Sequence, residues 1–127
     1  KELQRNLNVT VLFIANNPGL ISATCDNASI FYKGTIVERG STKEVLRSPV
    51  HPYTFTLLNA IPKSKKDRIN LNRIVNLYSD NSSDEGCIYY DKCIKKTEKC
   101  KELKDIVCIS ETHYAKCVLP EEGAINE

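Results

Sequence analysis

The sequence has no methionine and no tryptophan in 127 residues. Without a methionine the chain as given does not begin at a start codon, so it reads as a processed product or a piece of a longer polypeptide. No apolar run approaches the roughly 20 residues a membrane helix needs. Behind Lys1-Glu2-Leu3-Gln4-Arg5 there is no apolar stretch of signal-peptide type directly following. Neither sign of charge dominates: 18 Lys+Arg against 16 Asp+Glu leave +2, too balanced for a nucleic-acid binder read from charge alone. A Gly-rich phosphate loop of G-x-x-x-x-G-K-[ST] type is also missing, so this polypeptide alone is not expected to bind or hydrolyse ATP. What is present is a 41% hydrophobic share, enough for a core and against disorder throughout.

The first 62 residues read as α/β. Leu3 and Leu7 stand at i, i+4, which suits the end of an amphipathic helix. Val9-Thr10-Val11-Leu12-Phe13-Ile14 is apolar almost without alternation and rich in β-branched residues, the pattern of a parallel strand covered on both faces. At Asn16-Asn17-Pro18 this breaks, and Asn17 as N-cap with Pro18 at the first position starts a helix running towards Cys25. Ser29–Tyr32 and Thr35–Glu38 around Lys33-Gly34 predict a hairpin. Ser41-Thr42-Lys43-Glu44 matches a capping box, in which Ser41 and the Glu44 side chain satisfy each other's amides. That helix stops before Ser48-Pro49. His51-Pro52-Tyr53 opens another, with Phe55, Leu58 and Ile61 on its buried side and Pro62 at its end.

Composition shifts at Pro62. Residues 63–86 read as a linker, with the basic run Lys63–Arg68 as a solvated stretch and an edge strand within 69–77. Residues 87–127 form a Cys-rich extension spaced Cys87-x5-Cys93-x6-Cys100-x7-Cys108-x8-Cys117, with Cys25 far away. An even total suits three disulfides in a secreted domain. An odd five in the tail suits instead a soft metal bound by thiolates. Spacing does not choose between zinc and an iron–sulfur cluster, because neither the close pairs of zinc ribbons nor ferredoxin runs occur. Cys93 and Cys100 would share a face if they lay on one helix. His113 is expected to be exposed, and Cys25 to be a core residue.

The order of these features resembles a known family. Val11–Leu20, then Cys25-Asp26, then Tyr32-Lys33-Gly34-Thr35-Ile36-Val37-Glu38-Arg39-Gly40 is similar to the end of an ABC-type ATPase domain. Ser41–Leu46, Pro49, His51-Pro52-Tyr53-Thr54 and Leu57-Leu58 resemble the ATP-binding subunits of oligopeptide, dipeptide and nickel ABC importers, which continue into a Gly-Cys, here Gly86-Cys87. The resemblance implies a fold made of the final parallel strand, hairpin and helices of that ATPase domain, followed by a small Cys-rich metal-binding extension. It implies a subunit on the cytoplasmic face of the cell membrane that works with a second ATPase subunit and membrane permease subunits, and no nucleic-acid partner. ATP and Mg belong to the intact subunit, which couples ATP hydrolysis to peptide uptake.

The implied metal ligands are Cys87, Cys93, Cys100 and Cys117, holding a [4Fe–4S] cluster with zinc as the alternative; Cys108 has no counterpart. Tyr90-Asp91-Lys92 and Ile94 stand where the family shows His-Pro-Arg and Pro. In the switch loop the family's Ser-His-Asp is replaced by Ala15-Asn16-Asn17. Asn16 therefore occupies the catalytic histidine's position, where it can donate a hydrogen bond but cannot shuttle a proton. A zinc-bearing interaction or nucleic-acid module and a secreted disulfide-stapled domain are the competing functional readings.

Overall fold

The computed structural model describes residues 1–60 and 86–118. Helix α1 spans Glu2–Leu7 and ends at Asn8 in the left-handed conformation, where the Asn8 and Val9 amides cap the carbonyls of Arg5 and Gln4. Helix α2 is Pro18–Thr24; the Asn17 side chain accepts from Gly19 N at 2.9 Å and Leu20 N at 3.3 Å, as the Asn-Pro start predicts. Cys25 closes that helix.

Between them the structure departs from expectation. Residues 9–14 form no strand, and Leu12 and Ile14 are each 88% exposed. A strand exists only where a neighbour takes its amides and carbonyls, and among the described residues none lies alongside. The expected final parallel strand is therefore absent from the described fold, whose sheet is wholly antiparallel.

Strands β1 (Asn27–Tyr32) and β2 (Thr35–Ser41) form the expected hairpin. Lys33 and Gly34 both have positive φ (45° and 81°), the two-residue turn whose twist matches that of the flanking strands. β1 alternates, with Ala28, Ile30 and Tyr32 inward. β2 does not alternate. Ile30 pairs with Glu38 and Phe31 with Ile36, leaving Val37 as an extra residue. This bulge turns two successive side chains, Val37 and Glu38, into the interior. The Val37 carbonyl accepts from Lys116 N at 2.8 Å.

The sheet draws on residues before and after the 63–86 segment. Strand β3 (Val107–Ser110) and strand β4 (His113–Ala115) extend the hairpin into one sheet ordered β1-β2-β4-β3. Gly40 makes this possible, because a Cβ there would collide with the Thr112 carbonyl and His113 Cα. The 62/63 boundary, the 63–85 part of the linker with its basic run and edge strand, Ile61 and Pro62 lie outside the described residues.

Helix α3 (Thr42–Arg47) and helix α4 (Pro52–Asn59) follow. Ser41 caps α3 by accepting from Glu44 N at 3.3 Å. The reciprocal half of the capping box is rewired: the Glu44 carboxylate takes the hydroxyls of Ser41, Ser110 and Thr112, while Ser41 N donates to the Thr112 carbonyl. Those hydroxyls, Ser41 first, then Thr112 and Ser110, hold the Glu44 carboxyl down to about 2. On α4, Phe55 and Leu58 are only half-buried, and Pro52 and Thr54 face the interior instead.

Candidate functional site

Val37, Tyr32, Tyr89, Cys87 and Cys100 form one buried cluster, with Cys93, Tyr53 and Tyr90 packed against it. The rings of Tyr32, Tyr53 and Tyr89 stack mutually at 4.6–5.6 Å, Tyr32 and Tyr89 edge-to-face. The hairpin (Tyr32), helix α4 (Tyr53) and the tail (Tyr89) thus each supply one ring, and the tail supplies the sulfur.

The tail reaches it through tight turns. Gly86 has φ +83°, and a Cβ there would meet the Cys100 and Lys101 carbonyls at 2.6 Å. Only glycine fits this approach. It allows the Cys87 amide to donate to the Cys100 carbonyl at 2.8 Å, so two cysteines distant in sequence become backbone neighbours. Cys93 follows one 3-10 turn (Tyr90–Lys92) and Cys100 lies within another (Glu98–Lys101). They are on separate turns, not on a shared helical face, because Cys93 is extended and breaks the run. The Thr97 amide donates to the Cys100 sulfur at 3.5 Å, and the Thr97 hydroxyl lies 3.6 Å from it.

Burial pushes the Cys87 and Cys93 thiols up, and the neighbouring sulfurs add to that. Such thiols stay neutral unless a cation joins them. Cys117 is buried two residues beyond β4, outside this cluster. Among the described residues no group of three His, Cys, Asp or Glu side chains is placed to hold one metal ion. No disulfide joins the six cysteines. Cys108 is exposed, its thiol donating to the Ser110 carbonyl at 3.1 Å, and Cys25 is half-buried at the end of α2. Asn16 is exposed, one residue before the cap of α2.

Beside the thiols runs a buried polar chain. The Glu38 side chain has no exposed surface, and its carboxylate accepts from Val50 N and His51 N, each at 2.9 Å. Its Oε1 also meets His113 Nε2 at 2.7 Å. His113 is 3% exposed, so the expectation of an exposed residue is overturned: Glu38, paired to it across 75 residues, satisfies the ring inside. His51 caps α4 with its ring, Nδ1 accepting from Tyr53 N at 3.1 Å. The proton must then sit on Nε2, which lies 3.8 Å from Cys87 Sγ. Burial brings His51 down to about 4, keeping the ring neutral at physiological pH.

Sequence reasoning missed Glu38 and His113 as site residues. The one available signal for Glu38 was an acid standing in an otherwise β-rich run. Nothing local marks His113.

Glu38, His51, Cys87, Cys93 and Cys100 lie within a stretch that matches a family model. The family described as "Oligopeptide/dipeptide transporter, C-terminal region" matches residues 37–100, from the bulge to the third tail cysteine. The oligopeptide transport ATP-binding protein AmiE of Streptococcus pneumoniae is 33% identical over 128 residues, covering 98% of this chain and 36% of AmiE. OppF of Mycoplasma pneumoniae, an oligopeptide transport ATP-binding protein, is 46% identical over 71 residues, 56% of this chain and 8% of OppF. The dipeptide transport ATP-binding protein DppF of Haemophilus influenzae is 32% identical over 105 residues, 80% of this chain and 32% of DppF. The chain belongs to the oligopeptide/dipeptide transporter C-terminal region family. It spans little more than a third, at most, of the length of these relatives.

Proposed function

We propose that the chain is the C-terminal part of the ATP-binding subunit of a peptide ABC importer, whose intact form couples ATP hydrolysis to oligopeptide or dipeptide uptake. The observation that carries this reading is the family match over 37–100, which spans Glu38, His51, Cys87 and Cys100. The relatives, named as oligopeptide and dipeptide transport ATP-binding proteins, support the same assignment.

In this reading ATP and Mg bind the intact subunit only. Its partners are a second ATPase subunit and membrane permease subunits, at the cytoplasmic face of the membrane. Among the described residues no helix is long and apolar enough to cross a membrane, which accords with a peripheral attachment. The importer reconstituted in vesicles should take up peptide in an ATP-dependent way. An active ATPase without peptide uptake overturns the assignment.

Asn16 makes the switch loop of this subunit degenerate, with the partner subunit's site carrying hydrolysis. In the full-length complex, Asn16→His is expected to raise the ATPase rate several-fold; an unchanged rate removes this part of the reading.

Cys87, Cys93, Cys100 and Cys117 are the proposed ligands of a [4Fe–4S] cluster. The gathering of Cys87, Cys93 and Cys100 in one cluster, and the Thr97 amide donating to the Cys100 sulfur, support thiolate ligation. A cluster offers binding positions on separate irons, so its thiolates need not converge on one point. When bound, the cluster supplies a covalent cross-link and an electron-accepting centre. Anaerobically purified protein is expected to be brown, with iron and inorganic sulfide in equal amounts. A colourless sample containing zinc selects the alternative.

A further inference from the structure

We infer that His51 is a positioning residue for Cys87: its Nε2–H donates to the Cys87 sulfur and holds that thiolate in its ligating orientation. The inference rests on the assignment of Cys87 as a cluster ligand.

Three contacts fix the imidazole. Its Nδ1 is occupied by the Tyr53 amide at 3.1 Å, so Nε2 carries the proton. Its backbone N–H is tied to Glu38 Oε2 at 2.9 Å, and Glu38 is in turn held by His113 at 2.7 Å. Its ring leans on Tyr89, with centroids 5.7 Å apart. The one remaining polar edge, Nε2–H, faces Cys87 Sγ at 3.8 Å in a site from which both groups exclude water. A contact of that length to a neutral thiol is weak, and it strengthens when the sulfur carries negative charge. Donors of this kind beside a metal-bound sulfur orient the ligand and favour the electron-rich state of the metal. The helix cap and the sulfur donor are thus two ends of one ring, and this links the start of α4 to the tail cysteines.

The two roles can be separated. In His51→Asn, the side-chain oxygen can still cap Tyr53 N, because Asn is a good N-cap, but the shorter side chain no longer reaches Cys87. The chain is loaded with iron and sulfide anaerobically, and cluster content, reduction potential and the rate of iron loss to a chelator are measured. His51→Asn is expected to keep the fold by circular dichroism, lose iron roughly 10-fold faster and shift the potential to more negative values. Wild-type rate and potential in a folded, loaded variant overturn the inference and leave the cluster assignment standing. A wild-type chain that binds no cluster overturns both. Ring 15N NMR of the metal-free wild-type chain needs no variant: protonated Nε2 at His51 supports the inference, and protonated Nδ1 overturns it.

Discussion

Leu12 and Ile14 are each 88% exposed, while Glu38 has no exposed surface at all. The apolar run at 9–14 and the Glu38–His51–His113 chain thus reverse the usual association of polarity with position. Hydrophobicity alone does not bury a segment; an extended one must also find a neighbour for its backbone. A carboxylate goes inside when every lone pair in use has a donor. Glu38 has three donors, two amides from the loop before α4 and one ring nitrogen from β4. Residues 9–14 have no partner strand among the described residues.

The comparison can be broken from its polar side. Glu38→Ala leaves two amides and His113 without their acceptor inside the core, and is expected to destabilise the chain by about 3–5 kcal/mol. The denaturant midpoint measures this, and a loss below 1 kcal/mol would mean that water replaces the carboxylate. Gly86→Ala attacks the neighbouring sulfur site. Adding strain at positive φ to a backbone collision should remove roughly 2–5 kcal/mol, read as a drop in melting temperature.

Acidification tests the neutral ring without mutation. His51 is lowered from 6.5 to about 4 by burial, so between those values the unfolded chain binds more protons than the folded one. Stability is therefore full above pH 6.5 and falls as pH drops towards 4, by up to roughly 3 kcal/mol. In His51→Asn that slope should vanish. Glu44 has the depressed folded value of a carboxylate, about 2 against 4.5. Its contribution is present above 4.5 and lost as pH falls towards 2, so the two groups act in successive windows.

Thr54 sharpens the rule about partners. Its hydroxyl is buried with no hydrogen-bond partner among the described residues, so Thr54→Val, which keeps the shape, should be neutral or stabilising by about 1 kcal/mol. Calorimetry would show a raised melting temperature; a clear loss would mean the hydroxyl has a water or a metal-bound group to serve. The smallest effect is expected on the apolar side, where Leu12→Asp should change stability by less than about 0.5 kcal/mol. A larger loss would show that residues 9–14 pack in solution.

Local chemistry was readable in advance wherever one turn contains both partners. The Asn17-Pro18 and His51-Pro52 helix starts and the Lys33-Gly34 turn appear where the residues predicted them. The switch from capping box to shared carboxylate at Glu44 was not readable, because two of its three hydroxyls come from 66 and 68 residues away. The bulge at Val37 was equally hidden. It depends on the pairing with β1 and on the Lys116 amide, and it is what turns Glu38 inward.

The sequence by itself determined the caps, the hairpin, the thiols available and the family to which they belong. These follow from side chains acting within a few residues, or from an order of residues that needs no coordinates. Tertiary structure decided that a glutamate and two histidines lie inside, that β4 continues the hairpin, and that Cys87, Cys93 and Cys100 meet. Each of those outcomes requires a donor and an acceptor from distant parts of the chain, and the burial of a charge is favourable only after both have arrived.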